Sequence, residues 1–148
     1  MTHFPNTAQP DTILGTAGAD VFEILTGSGA GNDIFFGMAG NDTASGGTGD
    51  DFLDGGTGNN RMYGGAGDDV VSASDPSHLN VNVLHGGSGD DVVITTGGND
   101  LLFGDSGVDT LQINFITTGI VVSLTGPQKV NLGALGTLTI ADFENVTT

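Results

Sequence analysis

The sequence lacks cysteine altogether and has very few basic residues. Without cysteine the chain can form neither a disulfide nor a thiolate metal site. Arg61 and Lys129 are the two basic residues among 148, against 18 acidic ones, and the formal net charge is -16. This charge argues against nucleic acid and anionic lipid as partners.

Long apolar runs are missing as well. The sequence holds no apolar stretch of about 18 residues, so we expect no membrane-spanning segment. The N-terminal stretch from Met1 to Asp11 has neither a basic start nor an apolar run, and so does not have the pattern of a secretory signal peptide.

Glycine and aspartate are the abundant residues instead. The chain has 27 glycines, of which 23 lie between Gly15 and Gly107, and 16 of its 18 acidic residues are aspartates. Glycine at this density leaves few side chains for a core and raises the entropic cost of folding. Since disulfides are excluded, stability must come from a hard cation or from a partner.

A nine-residue repeat runs through this glycine-rich segment. From Gly46 to Ser72 the chain reads GGTGDDFLD, GGTGNNRMY and GGAGDDVVS in one frame. The same frame divides Gly15 to Gln112 into ten coils, of which eight have nine residues. The second and seventh coils, 24–36 and 73–85, are each longer by a four-residue insertion. The seventh coil contains Pro76 and has lost the glycine pattern, so we predict a protruding loop there that tolerates shortening.

This pattern resembles the RTX nonapeptide GGxGxDxUx, in which U is a large apolar residue. The resemblance covers about two thirds of the chain and implies an all-β fold, a right-handed parallel β-roll. In that family six residues form a turn, three form a short strand, and successive coils alternate between the two sides of the roll. Calcium ions lie between neighbouring turns on each side.

The eighth position of each coil is expected to form the core, because strand residues alternate between faces. All ten residues at this position are apolar: Phe22, Phe35, Ala44, Leu53, Met62, Val71, Leu84, Val93, Leu102 and Leu111.

The sixth position is the expected source of charged calcium ligands, because Ca²⁺ prefers six to eight carboxylate and carbonyl oxygens. Carboxylates stacked at strand spacing, about 4.8 Å, repel one another by about 1 kcal/mol even in water, so a cation is expected between them. The predicted side-chain ligands are Asp20, Asp33, Asp42, Asp51, Asn60, Asp69, Asp91, Asp100 and Asp109. The glycines whose carbonyls are expected at the ions are Gly37, Gly46, Gly47, Gly55, Gly56, Gly64, Gly65, Gly86 and Gly87.

The two sides of the roll are predicted to bind unequal numbers of ions. The even column, formed by the even-numbered coils, is unbroken and has four gaps between its members: Asp33, Asp51, Asp69, Asp91 and Asp109. The odd column contains Asp20, Asp42, Asn60 and Asp100, with nothing recognisable in the seventh coil. Because charge tunes calcium affinity, we expect four ions on the even side and one or two on the odd side, which makes five or six in all.

Other polar residues are assigned ordinary roles. The fifth-position acids Asp50, Asp68 and Asp90 are interpreted as solvated charge, and the histidines His3, His78 and His85 as surface residues.

The even strands also carry an outward apolar row, which we expect to be covered by the tail of the chain or by a second copy. This row consists of Ile34, Phe52, Val70 and Val92.

The chain is expected to divide into three parts. Residues 1–14 are predicted to be a flexible arm, 15–112 the roll, and 113–148 a β-rich cap that covers the last open coil. In the cap, Ile120 to Leu124, Lys129 to Leu132 and Leu138 to Ile140 are predicted strands. The stretch from Asp142 to Val146 resembles segments that follow RTX repeats and that, in the family, take part in type I secretion.

The leading functional hypothesis is a secreted, calcium-folded structural module without enzymatic activity. One alternative is a polysaccharide-binding accessory module similar to the repeat modules of alginate epimerases. Another is an ice-binding β-roll, although Thr48 and Thr57 are the only threonines at the third position of the repeat.

Overall fold

In the computed structural model, residues 2–5, 9–23, 30–114, 128–131 and 136–147 are described. These residues form strands and turns and contain no helix. The strands are β1 (Thr2–Pro5), β2 (Thr12–Leu14), β3 (Asp20–Glu23), β4 (Ile34–Phe36), β5 (Thr43–Thr48), β6 (Phe52–Asp54), β7 (Arg61–Ala66), β8 (Val70–Ala73), β9 (Val83–Ser88), β10 (Val92–Thr95), β11 (Leu101–Ser106), β12 (Thr110–Ile113), β13 (Gln128–Asn131), β14 (Thr137–Ala141) and β15 (Asn145–Thr147).

The described strands form two sheets in which alternate strands are neighbours. One sheet has the order β1-β3-β5-β7-β9-β11-β14-β13, and the other has the order β15-β12-β10-β8-β6-β4-β2. Every neighbouring pair is parallel except β13 and β14, which are antiparallel. We call the first the odd sheet and the second the even sheet. The predicted all-β parallel β-roll is confirmed.

The core is a single row of apolar side chains between the two sheets. All ten eighth-position residues, from Phe22 to Leu111, are 0% exposed. Burial of a side chain of this size contributes roughly 1.5–3 kcal/mol, but the repeat supplies only one per coil. Ile113, Leu138 and Ile140 extend the row into the C-terminal segment.

The two long coils keep the strand register. Leu53 pairs with Val71 across regular coils, and Met62 pairs with Leu84 in the same manner across the long seventh coil. The extra residues of that coil lie between strands, and Leu79 is 82% exposed, so a protruding loop is present as predicted. Part of the insertion in the second coil lies outside the described residues.

The base of the protruding loop is hydrogen-bonded to a neighbouring coil. Asp75 is buried and accepts hydrogen bonds from the side chains of Ser77 and Asn80. Its backbone carbonyl accepts a 2.8 Å hydrogen bond from Thr96 Oγ1. Asp75 thus holds the loop to the next turn on the same side and lies in the stretch between Ser74 and His78, where a four-residue deletion is predicted to be tolerated. That tolerance stays a prediction.

Both ends of the chain take part in the sheets. β1 pairs with β3 and β2 pairs with β4, so these parts of the predicted flexible arm lie in the roll. At the other end, β14 pairs with β11 and β15 with β12, so the predicted cap continues both sheets before β13 covers an edge. The predicted strand from Ile120 to Leu124 lies outside the described residues, as does Leu132.

The predicted apolar row of the even strands is continuous. Ile34 pairs with Phe52, Phe52 with Val70, and Val70 with Val92. Ile34 is 37% exposed and the other three are partly buried. What covers this row stays a prediction. Among the described residues there is no helix of the length and apolarity needed to cross a bilayer.

Candidate metal centres in the turns

The first-position glycines leave room for the carboxylate of the same turn. A Cβ added at Gly37 would lie 2.5 Å from Asp42 Oδ2 and 2.7 Å from the carbonyl oxygen of Gly55. At Gly86 the same hypothetical atom would meet Asp91 Oδ2 and, at 2.7 Å, the carbonyl oxygen of Gly104. Glycine is needed here because the position of its missing Cβ is approached by a side-chain oxygen of the same turn and by a backbone oxygen from the next coil on the same side.

The second and fourth turn positions favour glycine for a different reason, although Met38 and Asp105 adopt a positive φ at the second position. Gly47 and Gly49 have φ angles of 112° and 121°, which side chains rarely adopt. The second-position carbonyls also lie near the sixth-position side chain, since Asn60 Nδ2 is 3.1 Å from the oxygen of Gly56. The turns therefore bring together the two classes of oxygen predicted from the sequence.

All nine predicted side-chain ligands are buried. Their exposed fractions are between 0% and 2%. These are unusual positions for carboxylates, which are almost never fully buried without a partner. The burial follows from the strand pattern, because each residue lies two positions before a core residue and so points to the interior side of the turn.

In the even column, one oxygen of each carboxylate is bound to backbone. The N–H of Asp33 donates to Oδ1 of Asp51 at 2.7 Å, and the N–H of Asp51 donates to Oδ1 of Asp69 at 2.8 Å. In the same way, the N–H of Asp69 donates to Oδ1 of Asp91 at 2.8 Å, and the N–H of Asp91 donates to Oδ1 of Asp109 at 2.9 Å. Each Oδ1 thus joins two turns of the same column.

At five of the predicted ligand positions, the second carboxylate oxygen forms no hydrogen bond with the described residues. It is buried and has no hydrogen-bond partner among the described residues in Asp42, Asp51, Asp69, Asp91 and Asp109. A buried polar atom without a partner is costly, and a buried unpaired charge more so. An oxygen-rich site of this kind fits Ca²⁺, a hard cation that binds carboxylate and carbonyl oxygens together.

Burial also shifts the protonation of these groups. Desolvation raises the pKa of Asp69 to about 7, and the carboxylates of Asp51 and Asp91 add to the shift. Desolvation likewise raises the pKa of Asp51 and of Asp91 to about 6. Hydrogen bonds from backbone N–H groups oppose the shift but do not cancel it. Without a cation, the column resists carrying its full charge near neutral pH.

The odd column differs because most of its second oxygens are already bound. Asp20 Oδ2 accepts from Thr16, with its N–H at 2.5 Å and its hydroxyl at 3.0 Å. Asp100 Oδ2 accepts a 2.7 Å hydrogen bond from Thr95 Oγ1. Asn60 has an amide nitrogen in this position, which donates to Gly56 O.

Sequence reasoning missed the sixth-position residue of the seventh coil. Asn82 is 1% exposed, accepts the N–H of Asn60 at 2.9 Å and donates its own N–H to Asp100 Oδ1 at 2.8 Å. It could have been found by counting two residues back from Leu84. The same rule places Asp11 before Ile13, and the N–H of Asp11 donates to Asp33 Oδ1 at 2.8 Å.

The fifth-position acids form an outer ladder. Asp50, Asp68 and Asp90 are exposed, and Oδ1 of Asp50 and of Asp68 each accept the N–H of the next acid at 3.1 and 2.9 Å. Within the described residues no group of three or more His, Cys, Asp or Glu side chains converges. This result is expected where backbone carbonyls supply many of the ligands.

The histidines do not share a site in the described part of the chain. His85 stacks between Tyr63 and Phe103, with centroid distances of 5.0 and 4.4 Å, and its Nδ1 lies 2.8 Å from Asp105 Oδ2. His78 lies in the protruding loop of the seventh coil.

Comparison with known proteins agrees with this geometry. A protein-family model described as the RTX calcium-binding nonapeptide repeat matches the chain in four copies, over residues 7–23, 28–62, 45–75 and 80–111. The searches of curated proteins and of solved structures found no match.

Proposed function

Because the chain belongs to the RTX calcium-binding nonapeptide repeat family, we propose that it is a calcium-folded structural module that binds five or six ions between its turns. The observation that carries this proposal is the row of buried second oxygens in Asp51, Asp69, Asp91 and Asp109, which have no partner among the described residues. Calcium supplies there the positive charge and the open coordination positions that these oxygens and the turn carbonyls fill.

The distribution of partners supports unequal loading of the two sides. On the even side four successive members of the column have an unpartnered oxygen. On the odd side Oδ2 of Asp42 has no partner among the described residues, whereas Oδ2 of Asp20 and Oδ2 of Asp100 each accept a hydrogen bond from a threonine hydroxyl. Four ions on the even side and one or two on the odd side follow from this contrast.

Ligands from separate turns must converge before an ion can bind, so binding free energy is folding free energy. The chain has a formal charge of -16 and a core of one apolar residue per coil. We therefore expect the calcium-free chain to be poorly folded at neutral pH. A module of this kind would fold where calcium reaches the millimolar range, which is typical of extracellular sites, and we propose that it acts there after type I secretion and without catalytic chemistry of its own.

Calcium titration of the stripped protein tests this proposal. Far-UV circular dichroism should change from coil to strand on addition of millimolar calcium, and calorimetry should count at least five ions. A chain that has its full strand signal in chelator at neutral pH, with no further change on adding calcium, would contradict it.

Polysaccharide binding remains a second candidate, and one observation favours it. Tyr63, His85 and Phe103 stack along the outer face of the odd sheet with interplanar angles of 16° and 10°. Rings aligned along neighbouring strands offer a flat apolar platform with polar handles at Tyr63 and His85. The matched variants are Phe103→Ala and Phe52→Ala, since Phe52 lies on the outer face of the opposite sheet. Retention of the calcium-loaded chain on alginate should fall only for Phe103→Ala, and equal retention of both would remove this candidate.

The ice-binding alternative gains no comparable support. The third-position residues that pair along neighbouring coils include Ala30, Thr48, Ala66 and Ser88. This row mixes methyl and hydroxyl groups and does not form the regular array of threonines that the hypothesis requires.

A further inference from the structure

The turn between β14 and β15 repeats the first and sixth positions of the nonapeptide in shortened form. Leu102 pairs with Ile140 and Phe103 with Ala141, so Asp142 corresponds to the first-position residue Gly104. On the other side of the turn, Leu111 pairs with Val146, so Glu144 lies two residues before a core position. Three residues, 142–144, therefore connect the strands where the repeat uses six.

Asp142 places its backbone carbonyl where the repeats place a first-position carbonyl. A Cβ at Gly86 would meet Asp91 Oδ2 and the carbonyl oxygen of Gly104. At Gly104 the corresponding atoms are Asp109 Oδ2, at 2.6 Å, and the carbonyl oxygen of Asp142. Asp142 has a φ of 60°, a left-handed conformation that Asp tolerates better than most residues.

Glu144 replaces the aspartate of the sixth position. Its Oε2 accepts the N–H of Asp109 at 2.7 Å, as each aspartate in the column accepts the N–H of its predecessor. The N–H of Glu144 returns a 3.1 Å hydrogen bond to the carbonyl oxygen of Asp109. Glutamate is one methylene longer than aspartate, so it reaches the column although its turn is shorter.

Asp109 is the residue that points to a ligand here. It is 0% exposed, its Oδ1 is bound to the N–H of Asp91, and its Oδ2 has no partner among the described residues. The Glu144 carboxylate lies beside it, because its Oε2 accepts the backbone N–H of Asp109. Two carboxylates, one backbone oxygen and no neutralising base meet at this end of the even column, as far as the described residues show.

We infer that Asp109, the carbonyl of Asp142 and Glu144 form an additional calcium site outside the repeats, which fastens the C-terminal strand β15 to β12. This inference rests on the proposed function, since it extends the same column by one gap. The shortened turn offers fewer carbonyls than a repeat, so this site is the weakest of the even side. Docking of β15 is then the last event of calcium loading.

The test compares Glu144→Gln with Asp90→Asn in the full chain. Both remove one negative charge near Asp109 and keep an oxygen that can accept the same backbone hydrogen bond. They differ in position, since Glu144 accepts the N–H of Asp109 itself, whereas Asp90 is a fifth-position residue that accepts the N–H of Val108. Calcium titration by calorimetry should show one site weakened by about tenfold in Glu144→Gln and the affinities of Asp90→Asn within about twofold of the parent chain.

Hydrogen exchange supplies a second readout, which can be followed in the parent chain as well as in the variant. In the parent chain, the amide of Asn145, which donates to the carbonyl oxygen of Asp109, should become protected only at calcium concentrations above those that protect the amides of Val92 and Thr110, which donate within the repeats. In Glu144→Gln the amide of Asn145 should stay unprotected while the repeats are protected normally.

Two results would overturn the inference, and they differ. If the repeats bind calcium but the protection of Asn145 and the ion count are the same in both variants as in the parent chain, the added site does not exist and the proposed function stands. If the parent chain binds no calcium at all, the proposed function fails and the added site fails with it.

Discussion

The backbone N–H of Asp51 donates a 2.8 Å hydrogen bond to Oδ1 of Asp69, while Oδ2 of Asp69 is buried and has no hydrogen-bond partner among the described residues. One oxygen of the carboxylate therefore joins two turns and the other is available to a cation. Because this division recurs along the even column, the structural and the ligand roles of its aspartates can be separated by substitution.

Asp51→Asn should lower calcium affinity by about tenfold at a site that it lines, because it removes a charge and keeps an oxygen for the N–H of Asp33. Asp50→Asn removes a charge one residue away, from an exposed side chain, and should change the affinity by less than about twofold. Calorimetric titration of both variants measures the contrast. Equal losses would show that the repeat frame is displaced by one residue.

The calcium-free fold should be more stable in acid than at neutral pH. Burial raises the pKa of Asp69 to about 7 and of Asp51 and Asp91 to about 6, from an ordinary value of 3.8. The folded state thus binds protons more tightly than the unfolded state, so its stability is greatest below the ordinary pKa and is lost as the pH rises towards 6–7.

Circular dichroism of the calcium-stripped chain at pH 5 and pH 7.5 measures this dependence. The strand signal of the stripped chain should be larger at pH 5 than at pH 7.5. Calcium affinity should be lower at pH 5 than at pH 7.5, because protons compete for the carboxylates. A strand signal independent of pH in the stripped chain would mean that the column carries its charge without cost.

The frame of the roll was predictable because nine residues correspond to one coil. The apolar residue at the eighth position of each coil is recognisable even where the turn has diverged, as at Leu84 in the seventh coil. The register of β2 and β15 was missed because Asp11 and Glu144 stand in turns that lack the glycine pattern. Counting back two residues from Ile13 and Val146 identifies both.

The partners of the second carboxylate oxygen could not be read from the motif. Thr16 and Thr95 bind Asp20 and Asp100 from positions that the nonapeptide leaves unspecified. Whether a turn carbonyl and a carboxylate face each other depends on how each coil stacks on the next coil of the same side, which lies two repeats further along the chain. The identity of the full ligand set stays a prediction.

Asp75→Ala should destabilise the roll although the residue lies in a protruding loop. Asp75 is 4% exposed and accepts hydrogen bonds from the N–H and the hydroxyl of Ser77, both at 2.8 Å. Loss of these hydrogen bonds costs about 0.5–1.5 kcal/mol, because Ser77 is exposed and water can take the place of the carboxylate. Pro76→Ala, at an exposed position of the same loop, is the control and should be near neutral. Urea unfolding in saturating calcium compares them, and a neutral Asp75→Ala would show that the side-chain hydrogen bonds of Asp75 do not stabilise the roll.

Asn60→Asp should add a calcium ion to the odd side. The amide of Asn60 now donates to the carbonyl oxygens of Gly56 and Gly58, at 3.1 and 3.5 Å, and so binds oxygens that a cation could take. A carboxylate there cannot donate, and it would leave those carbonyls and its own second oxygen facing one another beside Asp42, whose Oδ2 already lacks a partner among the described residues.

The calcium-free form of Asn60→Asp should therefore be less stable than the parent chain, and its calcium-loaded form should hold one more ion. Asn59→Asp is the matched control, since it adds the same charge at the exposed neighbouring position and should leave the count unchanged. Native mass spectrometry counts the ions, and anomalous diffraction assigns each to a side of the roll. An added ion on the even side, or equal counts on the two sides of the parent chain, would contradict the argument that hydrogen-bonded amides and threonines keep the odd side sparsely loaded.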